Sequence, residues 1–565
     1  MHYRELDRAW QELTAPGAQF EIAEIEVRGQ RLRSYRNAQP SVREFWLATQ
    51  EFADREYLIY QGERITYREA HSQTAAIAAW LFAQGVRSGD RVAIDMRNYP
   101  EWMLIYWACL SVGVAAVGMN AWWVPDEIDY ALRDSAPKVV FCDQERLDRI
   151  LQVPAAVASA ILVGVRTEKT PGVVPWDDVV RDRQPLPDVR VDSDADACIF
   201  YTSGTTGFPK GAQLTHRGCI SNLWSMQFIA AAQALATARA TNGPLPSELP
   251  VTIPVGLVTT PLFHVTANNC TGYSATAGGG KLVLMYRWDP AEALRLIEKE
   301  KVTAMSGVPV MSRELVSHPE FSNTDTSSLV SLGGGGAPLL PDLVDKIEKG
   351  VKTARPITGY GLTEVCGIIT QVAGDFFVDK PASVGRVMPV YEARCVDDAG
   401  KLVSGDEIGE LCVKGAPVIK GYLNRPEATA EAIVEGWFHT GDLARIDNDG
   451  FVFIVDRKKD MVLRGGENVY CAEVEGCLYH HPDVAECCIF GVPDARLGEE
   501  VGAAVLLKPG ARATAQDLRA HCSERISKYK VPRYIWLIDT PLPRNASGKV
   551  LKRELRQTLT VEQAN

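Results

Sequence analysis

Apolar residues fall along this chain in a repeating order of short runs and longer amphipathic stretches. From Leu58 the chain reads as strand, turn and helix: LIYQGERITYREA, then an Ala-rich helix through Trp80 and Leu81. Gly85, Gly89 and Asp90 punctuate before a strand at Arg91-Val92-Ala93-Ile94. The alternation continues through Val139-Val140-Phe141 and Ile161-Leu162-Val163. This is the rhythm of parallel α/β layers. Residues 1–50 read as helical and mixed, and residues 165–195, with Pro171, Pro175, Pro185 and Pro187, as a surface connector. From about Ser383 the texture changes: SVGRVMP, DDAGKL, GELCVKG and NDGF alternate short strands with Asp/Gly turns, which predicts a small β-rich subdomain over about 383–455. The tail is predicted as a compact α/β unit. It has helices near 472–479 and 515–526, and strands at VAECCIFGVP, VGAAVLLKPG and YIWLID.

One segment imitates a membrane span. No charge occurs between Glu101 and Asp126. Ser111, Gly113 and Gly118 interrupt it, and Asn120, two tryptophans and Pro125 end it, so a buried helix followed by a short strand is expected, with no transmembrane segment. With 565 residues the chain exceeds a single core. The net charge of −11 argues against general nucleic-acid affinity. Thirteen cysteines form no Cys-x-x-Cys pair, and MHYRELDRAW has no hydrophobic secretory core. Together these predict a cytoplasmic, reducing location.

The chemistry is concentrated in three stretches. Residues 202–211 read TSGTTGFPKG after the apolar strand ACIFY. Hydroxyls of Thr202, Ser203, Thr205 and Thr206, the Cβ-free Gly204 and the charge of Lys210 suit a polyphosphate. Pro209 before the lysine excludes a Walker loop. Residues 358–364 read TGYGLTE. Tyr360, between Gly359 and Gly361, can lay its ring on an adenine, Thr363 can donate to the α-phosphate, and Glu364 offers a hard carboxylate to Mg²⁺. Residues 439–442 read HTGD, where Asp442 can accept from both ribose hydroxyls.

These motifs, in this order, resemble the adenylate-forming superfamily, and within it the acyl-CoA synthetases. The resemblance covers about 58–555. It implies a multi-domain α/β fold: a large N-terminal part of stacked α/β layers, here 1–458, and a mobile α+β C-terminal domain, here 459–565. By the same resemblance Gly335, Gly336, Ala337 and Pro338 in LGGGGAPL edge the adenine pocket, and Arg457 contacts the ribose. His264 in PLFHVTAN borders the acyl pocket and gates the reacting carboxylate. Lys459 is the hinge, Gly465 and Gly466 line the pantetheine tunnel, and Lys549 in PRNASGKVLK is the catalytic lysine. The implied reactants are ATP with Mg²⁺, a small carboxylic acid and coenzyme A, joined through an acyl-adenylate.

The acid is not spelled out by any motif. Apolar residues around His264, Val308 to Met311 and Gly334 to Pro338 favour a medium- or long-chain fatty acid, with an aryl or steroid-type carboxylate second. CoA is favoured as acceptor because no carrier domain is attached; transfer to a carrier protein or an amine is the rival. Five prolines from Pro244 to Pro261 predict an extended insert over about 231–254, which shapes the pocket, touches a membrane or is a plain surface loop. A homodimer and peripheral membrane contact are both compatible with the sequence.

Overall fold

The uncharged run folds as helix Pro100–Ser111 followed by strand Ala115–Gly118. Every helical side chain from Trp102 to Ser111 is buried, which is why the helix is apolar all round without spanning anything. A computed structural model describes residues 2–564 apart from 159, 203–208, 338, 340, 352 and 547. No helix among the described residues is long and apolar enough to cross a membrane.

Two sheets carry the large part of the chain. The seven-stranded sheet places Arg91–Asp95, Ala115–Gly118 and Asp196–Thr202 side by side, in parallel. The larger sheet has fifteen strands among the described residues. Its parallel part includes Val255–Val258, Ala304–Gly307, Ser331–Gly335 and Arg355–Tyr360. Beyond Tyr360 it continues antiparallel through Thr370–Ala373, Gly385–Val387, Phe451–Arg457 and Trp437–Ile446, so the β-rich segment extends this same sheet. Asn98 ties the two sheets together. Its Nδ2 donates to the carbonyls of Thr260 at 3.0 Å and Met285 at 3.2 Å, and its Oδ1 accepts from Leu262 N at 2.9 Å. Thr202, Gly335 and Tyr360 all end parallel strands, and ligands of open α/β sheets bind at that edge.

A five-stranded sheet between Val462 and Ile538 forms the core of the C-terminal part, covered by helices Cys471–Tyr479 and Ala515–Ser523. Asp456 accepts from Cys471 N, and the Arg313 guanidinium lies 5.2 Å from the Tyr479 ring centroid, so this part is seated against the rest.

Two expectations need amendment. The Ala-rich half of the presumed insert is helical: helix His216–Thr241 runs straight through it and packs against the N-terminal helix His2–Thr14. Extended chain begins only near Gly243, where Leu249, Val251 and Ile253 stand exposed. The mixed N-terminus also contains a hairpin, Ile22–Val27 with Gln30–Tyr35.

Candidate active site

Thr202 and Lys210 are register partners at the mouth of an antiparallel pair, with Thr202 Oγ1 donating to the Lys210 carbonyl at 3.4 Å. The loop they close, with Ser203, Gly204, Thr205 and Thr206, lies outside the described residues, as does Pro338. Gly335 ends its strand, and Gly336 and Ala337 follow it, exposed.

Gly359 and Tyr360 end strand Arg355–Tyr360, and Thr363, Glu364 and Val365 form a 3₁₀ turn. Gly361 explains the tight turn between them, since a Cβ there would stand 1.8 Å from the Gly367 carbonyl oxygen. The Tyr360 phenol donates to Asp442 Oδ2 at 2.6 Å. Asp442 and Arg457 face each other across two antiparallel strands, with Arg457 Nε 3.1 Å from Asp442 Oδ1. Burial, and then the Asp442 charge, push the Tyr360 phenol well above its ordinary pKa, so it stays a donor.

Glu364 is half-buried. Its Oε1 accepts from the Tyr422 phenol at 2.9 Å, and the Tyr422 ring centroid lies 5.2 Å from Lys210 Nζ. Among the described residues no cluster of three His, Cys, Asp or Glu could hold a metal by protein ligands alone. One carboxylate whose second oxygen has no partner among the described residues, near Lys210, fits Mg²⁺, which binds through one or two carboxylates plus substrate phosphates.

Lys549 reaches this cluster from the C-terminal part. A Cβ on Gly336 would sit 3.3 Å from Lys549 Cε, and Arg457, Asp442, Glu364 and Lys459 are the charges that act on its ammonium. Its side chain keeps contact with solvent, yet the surrounding atoms lower its pKa, with Arg457 adding to that and the two carboxylates opposing it. The loop that carries it is held by Asn545, whose N–H donates to the Lys549 carbonyl at 2.9 Å and whose Oδ1 accepts from Lys549 N at 2.9 Å. Gly548, at φ +82°, fits against Val308: a Cβ there would lie 2.6 Å from Val308 Cγ2.

His264 follows Phe263 and precedes the π-helical turn Thr266–Gly272. Burial and the Lys549 charge depress its pKa to about 3, so it is a neutral imidazole at any working pH. Lys459 lies just beyond strand Phe451–Arg457, at a turn where the N–H groups of Asp460 and Met461 both bond the Arg457 carbonyl. Gly465 and Gly466 stand apart from this cluster. They form the exposed tip of the hairpin Val462–Arg464 and Glu467–Val469, with Gly465 N bonded to Leu497 O at 2.7 Å.

Sequence reasoning missed Tyr422 and Arg97. Tyr422 sits in KGYLNRPEAT, which reads as a polar loop. Arg97 follows the end of buried strand Arg91–Asp95, a position that could have drawn notice. Its guanidinium lies 3.7 Å from the Trp122 ring and 4.7 Å from the Tyr286 ring, and its buried Nε has no hydrogen-bond partner among the described residues. It lines a cavity of about 110 Å³ whose walls include Phe263 and Ala546, residues close in sequence to His264 and Lys549.

The fold and this cluster define an adenylate-forming enzyme. The AMP-binding enzyme family model matches residues 45–423, and the AMP-binding enzyme C-terminal domain model matches 473–549. The chain belongs to this family, in its acyl-CoA synthetase branch of AMP-forming acid–thiol ligases. It is 36% identical over 498 residues to a feruloyl-CoA synthase from Amycolatopsis sp., covering 88% of this chain and 94% of the relative. It is 31% identical to a long-chain-fatty-acid–CoA ligase from Bacillus subtilis (strain 168), covering 90% and 92%. Among solved structures it matches o-succinylbenzoate CoA synthetase from Bacillus subtilis in complex with its acyl-adenylate intermediate, with a TM-score of 0.73 and 30% identity over 92% of this chain and 98% of that one.

Proposed function

We propose that this chain joins an aromatic carboxylic acid to coenzyme A at the expense of ATP. The observation that carries the adenylating step is the convergence of Lys549 on the Tyr360, Asp442 and Arg457 cluster, beside Gly336. In this reading the adenine lies along Gly335 and Gly336 against Tyr360, and the ribose hydroxyls donate to Asp442. Lys549 bridges the acid's carboxylate and the α-phosphate. A carboxylate oxygen bonds to the α-phosphorus, the bond to the bridging oxygen breaks, and pyrophosphate leaves. The CoA thiolate then bonds to the acyl carbon, and AMP departs with the carbon–oxygen electron pair. Mg²⁺ held by Glu364 and phosphate oxygens would neutralise charge on the pyrophosphate. The remaining work is positioning and fixed charge.

His264, neutral throughout, acts by shape beside the acyl group. Arg97, unpaired by any carboxylate among the described residues, suits an anionic partner such as a CoA phosphate arriving through its cavity.

The aromatic acid is preferred over a fatty acid because of the feruloyl-CoA synthase relative at 36% identity, against 31% for the long-chain ligase. The test is a panel of ferulate, 4-coumarate, benzoate, octanoate and palmitate, followed by AMP release with CoA, an amine or a carrier protein as acceptor. An aromatic acid with CoA should exceed octanoate and palmitate in kcat/KM by about tenfold or more. A preference for palmitate would overturn the acid assignment, and equal rates with an amine would overturn the acceptor.

A further inference from the structure

Residues 419–423 grip both sides of the phosphate region. Lys420 N donates to Gln213 O at 3.1 Å, Gln213 N to Gly421 O at 3.0 Å and Leu423 N to Gly211 O at 2.8 Å, while Tyr422 bridges Ala212. The segment therefore runs as an added strand along Lys210–Thr215. At its start Ile419 N donates to the Glu364 carbonyl at 2.9 Å. Past its end Arg425 Nη2 donates to the Tyr130 hydroxyl at 2.8 Å, and that hydroxyl donates to the Pro209 carbonyl at 2.9 Å. Lys210 and Glu364 come from segments more than a hundred residues apart, and this strap is bonded to the backbone of both.

Tyr422 repeats the connection with its side chain. Its hydroxyl donates to Glu364 Oε1 at 2.9 Å, and its ring centroid lies 5.2 Å from Lys210 Nζ. Its own N–H is fixed by Thr429 Oγ1 at 2.9 Å. A hydrogen bond to one carboxylate oxygen fixes the rotation of Glu364 and leaves Oε2 to face a cation. The ring face holds the ammonium of Lys210 by a cation–π contact, and among the described residues no carboxylate pairs with it. The phenol suits both tasks: it is neutral, it donates once, and it offers a π face.

We propose that Tyr422 is a positioning residue that sets the geometry between the metal-binding carboxylate and the phosphate-binding lysine, a role resting on the reading of Glu364 as the metal carboxylate. Its hydroxyl governs the metal and its ring governs the lysine.

The two functions separate by substitution in the full chain. Tyr422→Phe keeps the ring and removes the hydroxyl; Tyr422→Leu removes both. Mn²⁺ retention on the enzyme–ATP complex is read by electron paramagnetic resonance, and ATP binding without metal by calorimetry. Tyr422→Phe should weaken Mn²⁺ about tenfold and leave metal-free ATP binding as in the wild type, whereas Tyr422→Leu should weaken both. Circular dichroism and thermal melting establish that each variant is folded, and the Phe variant retains every backbone bond of the strap. Glu364→Gln is the control. If it loses Mn²⁺ while Tyr422→Phe retains it fully, the proposal is overturned and the Glu364 reading stands. If Glu364→Gln itself retains Mn²⁺, the reading of Glu364 fails and the proposal with it. Equal weakening of both ligands by both variants would show a merely structural tyrosine and overturn the division of roles.

Discussion

Tyr360 donates its phenolic proton to Asp442 across 2.6 Å, while Arg457 holds the other oxygen of the same carboxylate at 3.1 Å. An ionised carboxylate offers about four acceptor positions, so two remain for ribose hydroxyls. The ring proposed to carry the adenine and the group proposed to carry the ribose are thus one unit. Asp442→Asn should raise the Kd for ATP by about tenfold or more, because an amide cannot accept from both partners. Tyr360→Phe should raise it less. The double variant should cost less than the sum of the two, since each removes the same hydrogen bond. Calorimetric titration with ATP measures all three, and strictly additive effects would separate the two residues.

The layered α/β organisation was legible because parallel strands packed on both faces are written as uninterrupted apolar runs, such as the one before Thr202. The charge-free run was legible too, because its glycines and Pro125 break it before it could span a bilayer. TGYGLTE stood out as a candidate nucleotide contact because glycine spacing and a carboxylate stand together in seven residues. Tyr422 was not. Its meaning comes from pairing with a strand two hundred residues earlier, and one chain carries no local mark of such a contact. The helical Ala-rich stretch was obscured by the prolines after it: Pro244 comes only after Asn242, at φ +51°, has capped the helix. Lys549 stood out by its motif, but not its approach to Gly336, which depends on how the C-terminal part is seated.

Asp95 ends a buried strand, and neither of its carboxylate oxygens has a hydrogen-bond partner among the described residues. Burial, and then the neighbouring Asp143 charge, raise its pKa to about 7. The unfolded chain holds its aspartates near about 3.9, so between these values the native state binds more protons and stability falls as pH rises. Buried His216, depressed to about 3, and His71, depressed to about 4, act oppositely: their contribution falls as pH drops below the unfolded value of about 6.5. Asp95→Asn keeps the shape and cannot ionise. Its urea midpoint should exceed the wild type's most at about pH 8.5, with the gap narrowing below about pH 7 and closing only near about pH 4. A gap independent of pH would show that Asp95 is not titrating in the fold.

Lys459 follows a strand whose last residue, Arg457, binds the site, and precedes the first strand of the C-terminal sheet, Val462–Arg464. A hinge there would turn one part while leaving Arg457 in place. Lys459→Pro fixes φ and removes a donor, so rotation should be restricted. Adenylation, read as pyrophosphate release, should survive better than thioester formation from supplied acyl-adenylate and CoA. Equal losses in the two half-reactions would place the hinge elsewhere.

Lys549 makes the sharpest separation between the two steps. Its Cε packs where Gly336 leaves room, and its ammonium sits among Arg457, Asp442 and Glu364. In adenylation it would bridge two groups forced together with like charge, the acid's carboxylate and the α-phosphate. Removing such a preorganised charge costs about 10²–10³ in rate, so Lys549→Ala should slow pyrophosphate release by that factor. Because its pKa is lowered, first by burial and then by Arg457, the charged form is lost at a lower pH than for an ordinary lysine. The basic limb of the adenylation profile should therefore begin below the usual lysine range, and Lys549→Arg should abolish that limb even where it restores little rate. The thioester step should respond differently. If the C-terminal part turns about Lys459, Lys549 leaves the acyl carbon, and the Ala variant should convert supplied acyl-adenylate and CoA at close to the wild-type rate. Were both steps slowed alike with folding intact, the lysine would be structural and the two-arrangement mechanism would not hold.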